Sequence, residues 1–490
     1  MPKISEKNKP FIPTTEQLAF AKQAFDALKI HWQGDGIGMS RPGYGAKETE
    51  AMQILCDEAR KMGATIYVDA AGNRHAVFKG KDRYKPVITM GSHLDSVERG
   101  GQFDGPAGVV GALQAIKIAQ ENDLEFPQDV VVTMWRNEES PMHKQFGIGS
   151  KAAAGLLTAA VLDNPNLLDG RPLREHMAEQ GINVTQLESL IGEQLIPKEN
   201  ILLYSEIHIE QHTSLKDAGM QLGFVTTIAG NVRFPPVRFY VEPKHDDLFD
   251  ASIGGHTGAV EQRDKKFPQL AAAQFMILLD ERLDALDAAQ SSTKGKTVRL
   301  VHTITNMGVT NPGPTTIPTE AFVQVDIRSL DDETIAKAAE IYVSTAEEVV
   351  TNPKWKVKVD TSEAKRVIQA VQPMSGELAN WFQATAKSLG IRSQLTISGA
   401  GHDASNIAAI GIPTIMTFPA HNGLSHDWRE LLTNKVGENA FAAGSNFAAS
   451  ISPHAVLITS NDLPLPTRQT QQTFEEALMA RGAKPLALAA

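Results

Sequence analysis

The stretch VITMGSHLDSVERGGQFDGPAGVVGALQAIKIAQ (87–120) predicts a buried strand, a glycine-rich turn and a helix in close succession. The strand is an apolar run that ends in small residues, and the paired glycines after it allow the chain to turn back. His93 falls at the end of this strand, and Asp104 falls just before the helix. A strand that leads into a helix is typical of α/β layers, so this stretch favours that fold class.

The same alternation continues through roughly the first half of the chain. Apolar runs such as KPVITMGSHL (85–94) and VVVTMW (130–135) alternate with helical stretches such as ETEAMQILCDEARKMG (48–63). The pattern predicts an α/β, layered domain with a mostly parallel central sheet. In such a sheet, sites collect at the carboxyl ends of the strands, where His93 and Glu138 fall.

The pattern changes to an α+β succession at about 231–365, which predicts an inserted second domain. The first domain is then discontinuous and comprises 1–230 and 366–460. Residues 461–490 form a C-terminal extension that contains proline, is briefly helical and carries no motif. We expect a surface-packed or disordered extension rather than a contact with a partner chain or with the inserted domain.

Three histidines and two acidic residues in short motifs provide the ligand inventory of a two-metal hydrolase. Two divalent cations a few ångströms apart need about three protein ligands each, and a shared carboxylate lowers the total. The five residues suffice if Asp104 bridges the two ions. His93 and His208 would then complete the protein ligands of one ion. Glu139 and His426 would complete the protein ligands of the other ion.

Two further acidic residues could support this chemistry. Activation of water at a metal requires one carboxylate on the metal and a second beside it to move protons, which is the role expected for Glu138 next to Glu139. On this motif alone, a solvated acidic pair after a strand ranks higher. Asp95 can hydrogen-bond the outer nitrogen of His93 and fix its tautomer. Asp104 could also cap the helix that follows it, and capping does not exclude metal ligation.

Three histidines later in the chain, His208, His402 and His426, are candidates for metal ligation. The segment ILLYSEIHIEQH (201–212) alternates apolar and polar residues, which predicts a strand with His208, Glu210 and His212 on one face and Glu210 orienting His208. Near the far end of the chain, GAGHDA and GLSHDW each place a histidine after small residues. His426 in the second motif is the favoured ligand. His402 in the first is predicted to be buried, hydrogen-bonded and responsible for the shape of its loop.

The composition of the chain argues against several classes of function and site. The chain has 490 residues, a formal net charge of -10 and 42% hydrophobic residues. The negative charge argues against nucleic-acid binding. One cysteine, Cys56, excludes an intrachain disulfide and a thiolate-rich metal site. The first residues have no apolar core for a signal peptide, and no run has membrane-spanning length, so we expect a cytoplasmic protein without membrane contact.

The motifs HLD, FDG, NEE, HIEQ, GAGHDA and GLSH occur in this order over most of the chain. In the order and content of these motifs, the sequence resembles the amidase, hydantoinase and carbamoylase branch of the zinc aminoacylase/carboxypeptidase superfamily. The resemblance runs from about Thr15 to about Ser452. Members include N-carbamoyl-L-amino acid hydrolases, β-ureidopropionases and allantoate amidohydrolases. The resemblance implies that the inserted domain is a lid and dimerisation domain, and that the protein is a homodimer acting on a small molecule.

The resemblance also implies two divalent metal ions per subunit. Zinc is favoured, with manganese, cobalt and nickel as alternatives. It implies that Glu138 is the general base. The metal ligands that it implies agree with those from ligand counting, namely His93, Asp104 as the bridge, Glu139, His208 and His426.

Three residues gain a substrate-related role from the resemblance alone. It implies that Gln211 contacts substrate and that Arg328 binds the substrate carboxylate. It implies that His256 stabilises an oxyanion in the active site of the other subunit. As alternatives, His256 is only a surface residue of a glycine-rich loop, and Arg328 makes a structural salt bridge with Asp326 or Asp331.

Departures from the family pattern concern the pocket and leave the metal ligands in place. Met142 stands where an arginine is usual, His212 where the family has glycine, and Thr315 where it has asparagine. We therefore expect a hydrolase that cleaves the C–N bond of an N-carbamoyl amino acid or related ureido acid. The alternative is an aminoacylase or dipeptidase type of metallohydrolase. A noncatalytic protein of the same fold is the least favoured, since the ligands and Glu138 are all present.

Overall fold

Contacts between residues divide the chain into two compact units. The first comprises Met1–Thr226 and Pro373–Ala490, and the second comprises Thr227–Gln372, a few residues wider at each end than the predicted insertion. Residues 1–12, which carry most of the prediction that there is no signal peptide, lie outside the described residues. The computed structural model describes residues 13–29, 38–139, 142–233, 236–242, 255–294, 300–361, 369–431 and 445–487.

The first part of the first unit alternates strands with helices. Short 3-10 helices lie at Ala159–Asp163 and Lys198–Asn200. Its elements are α1 (Ala19–Leu28), α2 (Ala46–Lys61), β1 (Thr65–Val68), β2 (Arg74–Phe78), β3 (Val87–His93), α3 (Pro106–Glu121), β4 (Val130–Trp135), α4 (Ile148–Ala153), α5 (Leu173–Glu179), α6 (Val184–Ser189), β5 (Ile201–Ile207), α7 (Ser214–Asp217) and β6 (Leu222–Ile228).

The second unit is an α+β domain with an antiparallel sheet. It begins with two strands, which lie on either side of residues 234 and 235, and these two residues lie outside the described residues. Its core contains Phe239, Phe275 and Tyr342, whose rings pack edge to face or tilted. The elements are β7 (Gly230–Arg233), β8 (Val237–Tyr240), β9 (Gly255–His256), α8 (Pro268–Lys294), β10 (Leu300–Val309), β11 (Thr316–Ile317), β12 (Glu320–Ser329), α9 (Asp332–Val349) and β13 (Lys358–Asp360).

The chain then returns to the first unit and completes it. A 3-10 helix lies at Trp428–Leu431. The elements are β14 (Gln372–Pro373), α10 (Gly376–Ser388), β15 (Ser393–Ser398), α11 (Asp403–Ala409), β16 (Thr414–Pro419), α12 (Ser445–Thr459), α13 (Phe474–Ala480) and β17 (Lys484–Pro485).

The sheet of the first unit has the order β14-β6-β16-β5-β3-β4-β2-β1-β17, with β15 also paired to β6. Its centre is parallel, because β16 pairs with β5, β5 with β3, and β3 with β4 in that sense. Antiparallel strands flank this centre on both sides. The predicted fold class, an α/β layered domain with a largely parallel central sheet and a second α+β domain, is confirmed.

The predicted alternation along β5 is wrong. All of its residues are buried, and the strand ends at Ile207, before His208 is reached. The reason is its position between β3 and β16, where a strand of a parallel sheet is covered on both faces and has no solvent side. His208 and the residues after it therefore belong to the loop that leaves the carboxyl end of the strand.

Helix α3 lies against β3 and α12 and is buried nearly all round, with only Lys117 partly exposed among the residues before Gln120. It begins with Pro106 in its first turn, after Gly105 in a left-handed conformation with φ of 82°. A side chain at Gly105 would approach the His93 ring to 2.5 Å. Glycine here allows the turn that carries Asp104 to pass directly over the end of β3. Among the described residues, no helix has the length and apolar character needed to cross a membrane.

The C-terminal extension packs on the first unit. Strand β17 pairs antiparallel with β1, where Tyr67 lies opposite Pro485. Helix α13 begins with a capping box between Thr473 and Glu476. Its Glu475 accepts a hydrogen bond from the Tyr67 hydroxyl at 2.9 Å and pairs with Arg83. The extension therefore covers the β1 edge of the central sheet.

Candidate active site

The predicted ligands of the first unit lie at the carboxyl ends of neighbouring strands. His93 is the last residue of β3, and Glu138 and Glu139 follow β4. His208 follows β5, and His426 lies in the loop after β16. Because β16, β5, β3 and β4 are parallel neighbours, these loops leave the same edge of the sheet.

Two groups of potential ligand atoms share Asp104. In the first, His208 Nε2 lies 3.0 Å and His93 Nε2 lies 3.7 Å from Asp104 Oδ1. In the second, His426 Nε2 lies 3.3 Å from Glu139 Oε1 and 3.8 Å from Asp104 Oδ2. Each Asp104 oxygen thus faces a different group. The structure brings together all five predicted ligands in the predicted pairs.

The donor set fits a pair of divalent cations. Three imidazoles and two carboxylates suit zinc and several other first-row metals. His93 Nε2 is buried and has no hydrogen-bond partner among the described residues, although it points at the Asp104 carboxylate. Burial acts to lower the pKa of His93, yet Asp104 and Asp95 hold that pKa well above its usual value. The site therefore has an electrostatic field that favours positive charge.

Glu138 is buried beside this group, with Oε2 3.9 Å from His93 Nε2. Burial raises the pKa of Glu138 well above its usual value. The attraction of His93 opposes this shift, and the charges of Asp403 and Glu139 reinforce it. A carboxylate with a raised pKa at this place can accept a proton near neutral pH.

Asp95 contacts both His93 and the loop after β4, and only the first of these contacts was predicted from the sequence. It approaches His93 Nδ1 as predicted, with Oδ1 at 3.3 Å. Its carboxylate also accepts the backbone N–H of Glu138 and that of Glu139, each at 3.0 Å. One buried side chain therefore fixes the end of β3 and the loop after β4 relative to each other.

Gln211 lies at the same group and donates to Asp104 Oδ2 at 3.2 Å and to Ser425 Oγ at 2.9 Å. The prediction that Glu210 orients His208 is wrong. Glu210 accepts from the Ser214 hydroxyl and the Leu215 N–H, at the start of α7, while His208 Nδ1 contacts the Ile209 carbonyl at 3.1 Å. Once the strand has ended at Ile207, period-2 alternation no longer places these side chains on one face.

His402 is buried and hydrogen-bonded, as predicted. Its Nε2 lies 2.8 Å from the Ser398 hydroxyl, and its ring packs edge to face on His208 at 4.4 Å between centroids. His402, His208 and Glu206 form a third group of close potential ligand atoms. Glu206 there accepts hydrogen bonds from the Ser92 hydroxyl and the Ala404 N–H.

His256 and Arg328 lie in the second unit. His256 is exposed in the two-stranded β9–β11 pair, opposite Thr316. Arg328 donates through Nε and Nη2 to both carboxylate oxygens of Asp326, at 2.9 and 3.0 Å. This is the salt bridge that the sequence analysis gave as the structural alternative. The substrate-binding roles of both residues stay predictions.

A family model described as Peptidase family M20/M25/M40 matches residues 89–452, about three quarters of the chain. The chain belongs to this M20 family. The match covers most of β3, including His93, and the loops that carry the other four candidate ligands. The resemblance drawn from the motifs, and with it the class of a hydrolase, is confirmed.

Relatives agree with this M20 assignment. An N-carbamoyl-L-amino acid amidohydrolase from Geobacillus stearothermophilus is 28% identical over 81% of this chain and 90% of its own length. A ureidoglycolate hydrolase from Oryza sativa subsp. japonica is 27% identical over 78% of this chain and 74% of its own. A crystal structure of an amidase of the hydantoinase/carbamoylase family from Burkholderia vietnamiensis has a TM-score of 0.70 at 21% identity, covering 90% of this chain and 97% of that one.

The three residues expected to depart from the pattern of the amidase, hydantoinase and carbamoylase branch have different surroundings. The Met142 carbonyl accepts from the Leu167 N–H at 2.9 Å, and residues 140 and 141 before it lie outside the described residues. His212 is exposed beside Gln211. Thr315 is exposed, and its carbonyl accepts the Thr257 N–H at 2.7 Å, next to His256.

Sequence reasoning missed three buried carboxylates of this M20 site. Glu206 precedes His208 by two residues, Asp403 follows His402, and Glu430 follows His426 by four. Burial raises the pKa of each. Their only signal was an acidic residue close in sequence to a candidate histidine, which is too common to identify a site.

Proposed function

We propose that this chain hydrolyses the C–N bond of an N-carbamoyl amino acid or a related ureido acid. The observation that carries the proposal is the convergence of four candidate ligands on the fifth, Asp104, with Glu138 buried beside them. The substrate class is supported by the relatives, one named as an N-carbamoyl-L-amino acid amidohydrolase and one as a ureidoglycolate hydrolase.

The cofactor in this proposal is a pair of divalent ions, zinc first and manganese, cobalt or nickel as alternatives. One would be held by His93, His208 and Asp104. The other would be held by Glu139, His426 and the same Asp104. When bound, the ions supply Lewis acidity toward a water molecule and the carbonyl group of the substrate.

The chain's own residues move the protons. Glu138 takes a proton from the attacking water and returns it to the leaving nitrogen, a role that suits a carboxyl whose pKa is raised by burial. Asp95 keeps Glu138 in place through the backbone N–H of that residue. Attack on a carbamoyl group in this way gives an amine, ammonia and carbon dioxide.

The substrate is oriented by two further groups in this proposal. Arg328 grips the substrate carboxylate with its planar fork, which a lysine could not reproduce. Gln211 contributes a side-chain amide close to Asp104.

A homodimer formed through the second unit completes the proposed site. Its support is β10, a ten-residue strand that pairs only with β12 among the described strands and exposes Val301 and Met307. A long edge of this kind is suited to pairing with another chain. His256 would then serve the active site of the partner and stabilise the developing oxyanion.

Ammonia release tests the reaction. Metal-reconstituted protein is incubated with N-carbamoyl-L-amino acids, 3-ureidopropionate and allantoate, and with dipeptides and N-acetyl amino acids assayed separately, each with a chelated control. We expect metal-dependent ammonia from at least one ureido acid. If no ureido acid releases ammonia and a dipeptide or acyl amide is cleaved, the aminoacylase or dipeptidase alternative, which the altered Met142, His212 and Thr315 positions permit, replaces the proposal.

A further inference from the structure

The segment 423–431, here called the His426 segment, contacts Asp104 through three of its residues. Near its start, the Ser425 hydroxyl donates to Asp104 Oδ2 at 2.5 Å. His426 follows and directs Nε2 to the same oxygen at 3.8 Å. Near the end of the segment, Glu430 contacts the backbone rather than the side chain of Asp104.

Glu430 is 1% exposed, and its Oε1 accepts two backbone N–H groups, those of Phe103 and Asp104, each at 2.8 Å. Hydrogen bonds to a carboxylate are stronger than those between neutral groups. The two bonds hold adjacent peptide units in the turn just before α3. The turn that carries Asp104 is therefore fixed from the His426 segment.

The backbone of a neighbouring loop passes close to the Glu430 carboxylate. Gly101 lies so close to Glu430 that any Cβ at this position would overlap its side chain. Burying a carboxylate is unfavourable unless it is well hydrogen-bonded, and Glu430 Oε2 has no hydrogen-bond partner among the described residues. A buried acid of this kind is hard to explain by stability alone.

His426 itself has a strained backbone, with φ of 57° in the left-handed region. Such a conformation in a residue other than glycine persists where the surrounding structure holds it. Here the contacts lie on both sides of His426, through Ser425 before it and Glu430 after it.

We propose that Glu430 is a positioning residue, whose side-chain oxygen Oε1 fixes the Asp104 turn and the His426 segment relative to each other so that the two ion sites form together. This inference rests on the two-ion centre of the proposed function. Because Asp104 is shared, loss of the contact weakens both ions.

Two substitutions separate the acceptor from the charge. Glu430→Gln keeps an oxygen at the end of a side chain of equal length but removes the charge. Glu430→Asp keeps the charge but withdraws the acceptor by one methylene. Arg429→Gln is the matched control, since Arg429 is exposed in the same segment and pairs with Asp427.

Cobalt binding to ion-stripped protein is measured by titration, with stoichiometry and the visible absorption spectrum as readouts, and urea unfolding of the ion-stripped proteins is recorded in parallel. We expect Glu430→Asp to lose about tenfold to hundredfold in affinity for both ions, as for other groups that orient ligands. Glu430→Gln should retain most of the affinity, and Arg429→Gln all of it.

The inference would be overturned if Glu430→Gln and Glu430→Asp bound cobalt with the same affinity, whether that affinity was native or weakened. It would also be overturned by a Glu430→Asp protein that unfolds more easily but binds both ions as tightly as the unchanged chain. If the unchanged chain binds no pair of ions, the two-ion centre of the proposed function fails, and this is a different result from either.

Discussion

Each oxygen of the Asp104 carboxylate faces its own partners. Oδ1 lies near His93 and His208, while Oδ2 lies near His426 and accepts from Gln211 and Ser425. Burial acts to raise the pKa of Asp104, but His208 and the other imidazoles hold it well below its usual value. Ionised Asp104 thus links the two groups, and any change that moves it alters both.

Glu138→Gln tests the general base. Glutamine fills the same volume but cannot accept the proton, so we expect turnover to fall by about a hundredfold to ten-thousandfold. Metal content, measured by mass spectrometry, should be that of the unchanged chain, because Glu138 is not a predicted ligand. Glu139→Gln is the comparison and should lose metal. If Glu138→Gln kept near-native turnover, Glu138 could not be the general base.

His454 predicts a pH dependence of stability. The ring is fully buried, with Nδ1 donating to the Ser450 carbonyl at 2.7 Å and Nε2 accepting from the Ser205 hydroxyl at 2.9 Å. Burial lowers its pKa to about 4, against about 6.5 in an unfolded chain. The unfolded state therefore takes up a proton first as pH falls from about 6.5 to 4, and the free energy of unfolding decreases by up to about 3 kcal/mol.

Urea unfolding between pH 7 and pH 4.5 checks this prediction for His454. In His454→Gln the decrease with falling pH should be smaller than in the unchanged chain. His212→Gln, at an exposed position, should keep the full decrease. Parallel pH profiles of His454→Gln and the unchanged chain would contradict the prediction.

Among the elements, those with strong local patterns could be predicted from sequence. The run before His93 and the apolar helix after Asp104 appear as β3 and α3, and together they bring these two residues close. The end of β5 could not be predicted, because the alternation of apolar and polar residues in the sequence continues past Ile207, where the strand ends. Glu430 was missed for a different reason, since its partner is Asp104, more than three hundred residues away in sequence.

The C-terminal extension carries no motif, but it is briefly helical, as predicted, and packs on the first unit. Phe474 of α13 is buried, so Phe474→Ala should lower the free energy of unfolding by about 3–5 kcal/mol. Met479→Ala is the control in the same helix, because Met479 is 42% exposed, and should change stability by less than about 1 kcal/mol. Equal unfolding midpoints in urea for both variants would mean that α13 adds nothing to the fold.

At the scale of the whole molecule, the proposed dimer makes a test with mixed subunits possible. His256→Ala and Arg328→Ala proteins should each be inactive. When they are unfolded together and refolded, half of the dimers are hybrids, and each hybrid has one intact site if the two residues come from different chains. We expect about a quarter of the unchanged activity. No recovery, with hybrids present by native mass spectrometry, would place both residues in one chain's site.

The discontinuity of the first unit has a consequence for synthesis. Strand β16 lies between β5 and β6 in the sheet but follows them in the chain by almost two hundred residues. On the ribosome, the second unit emerges as one continuous stretch before β16 is translated. The inserted unit can therefore finish folding first, while β5, which leads to the candidate ligand His208, is still unpaired on the side that β16 will occupy and is open to chaperone binding.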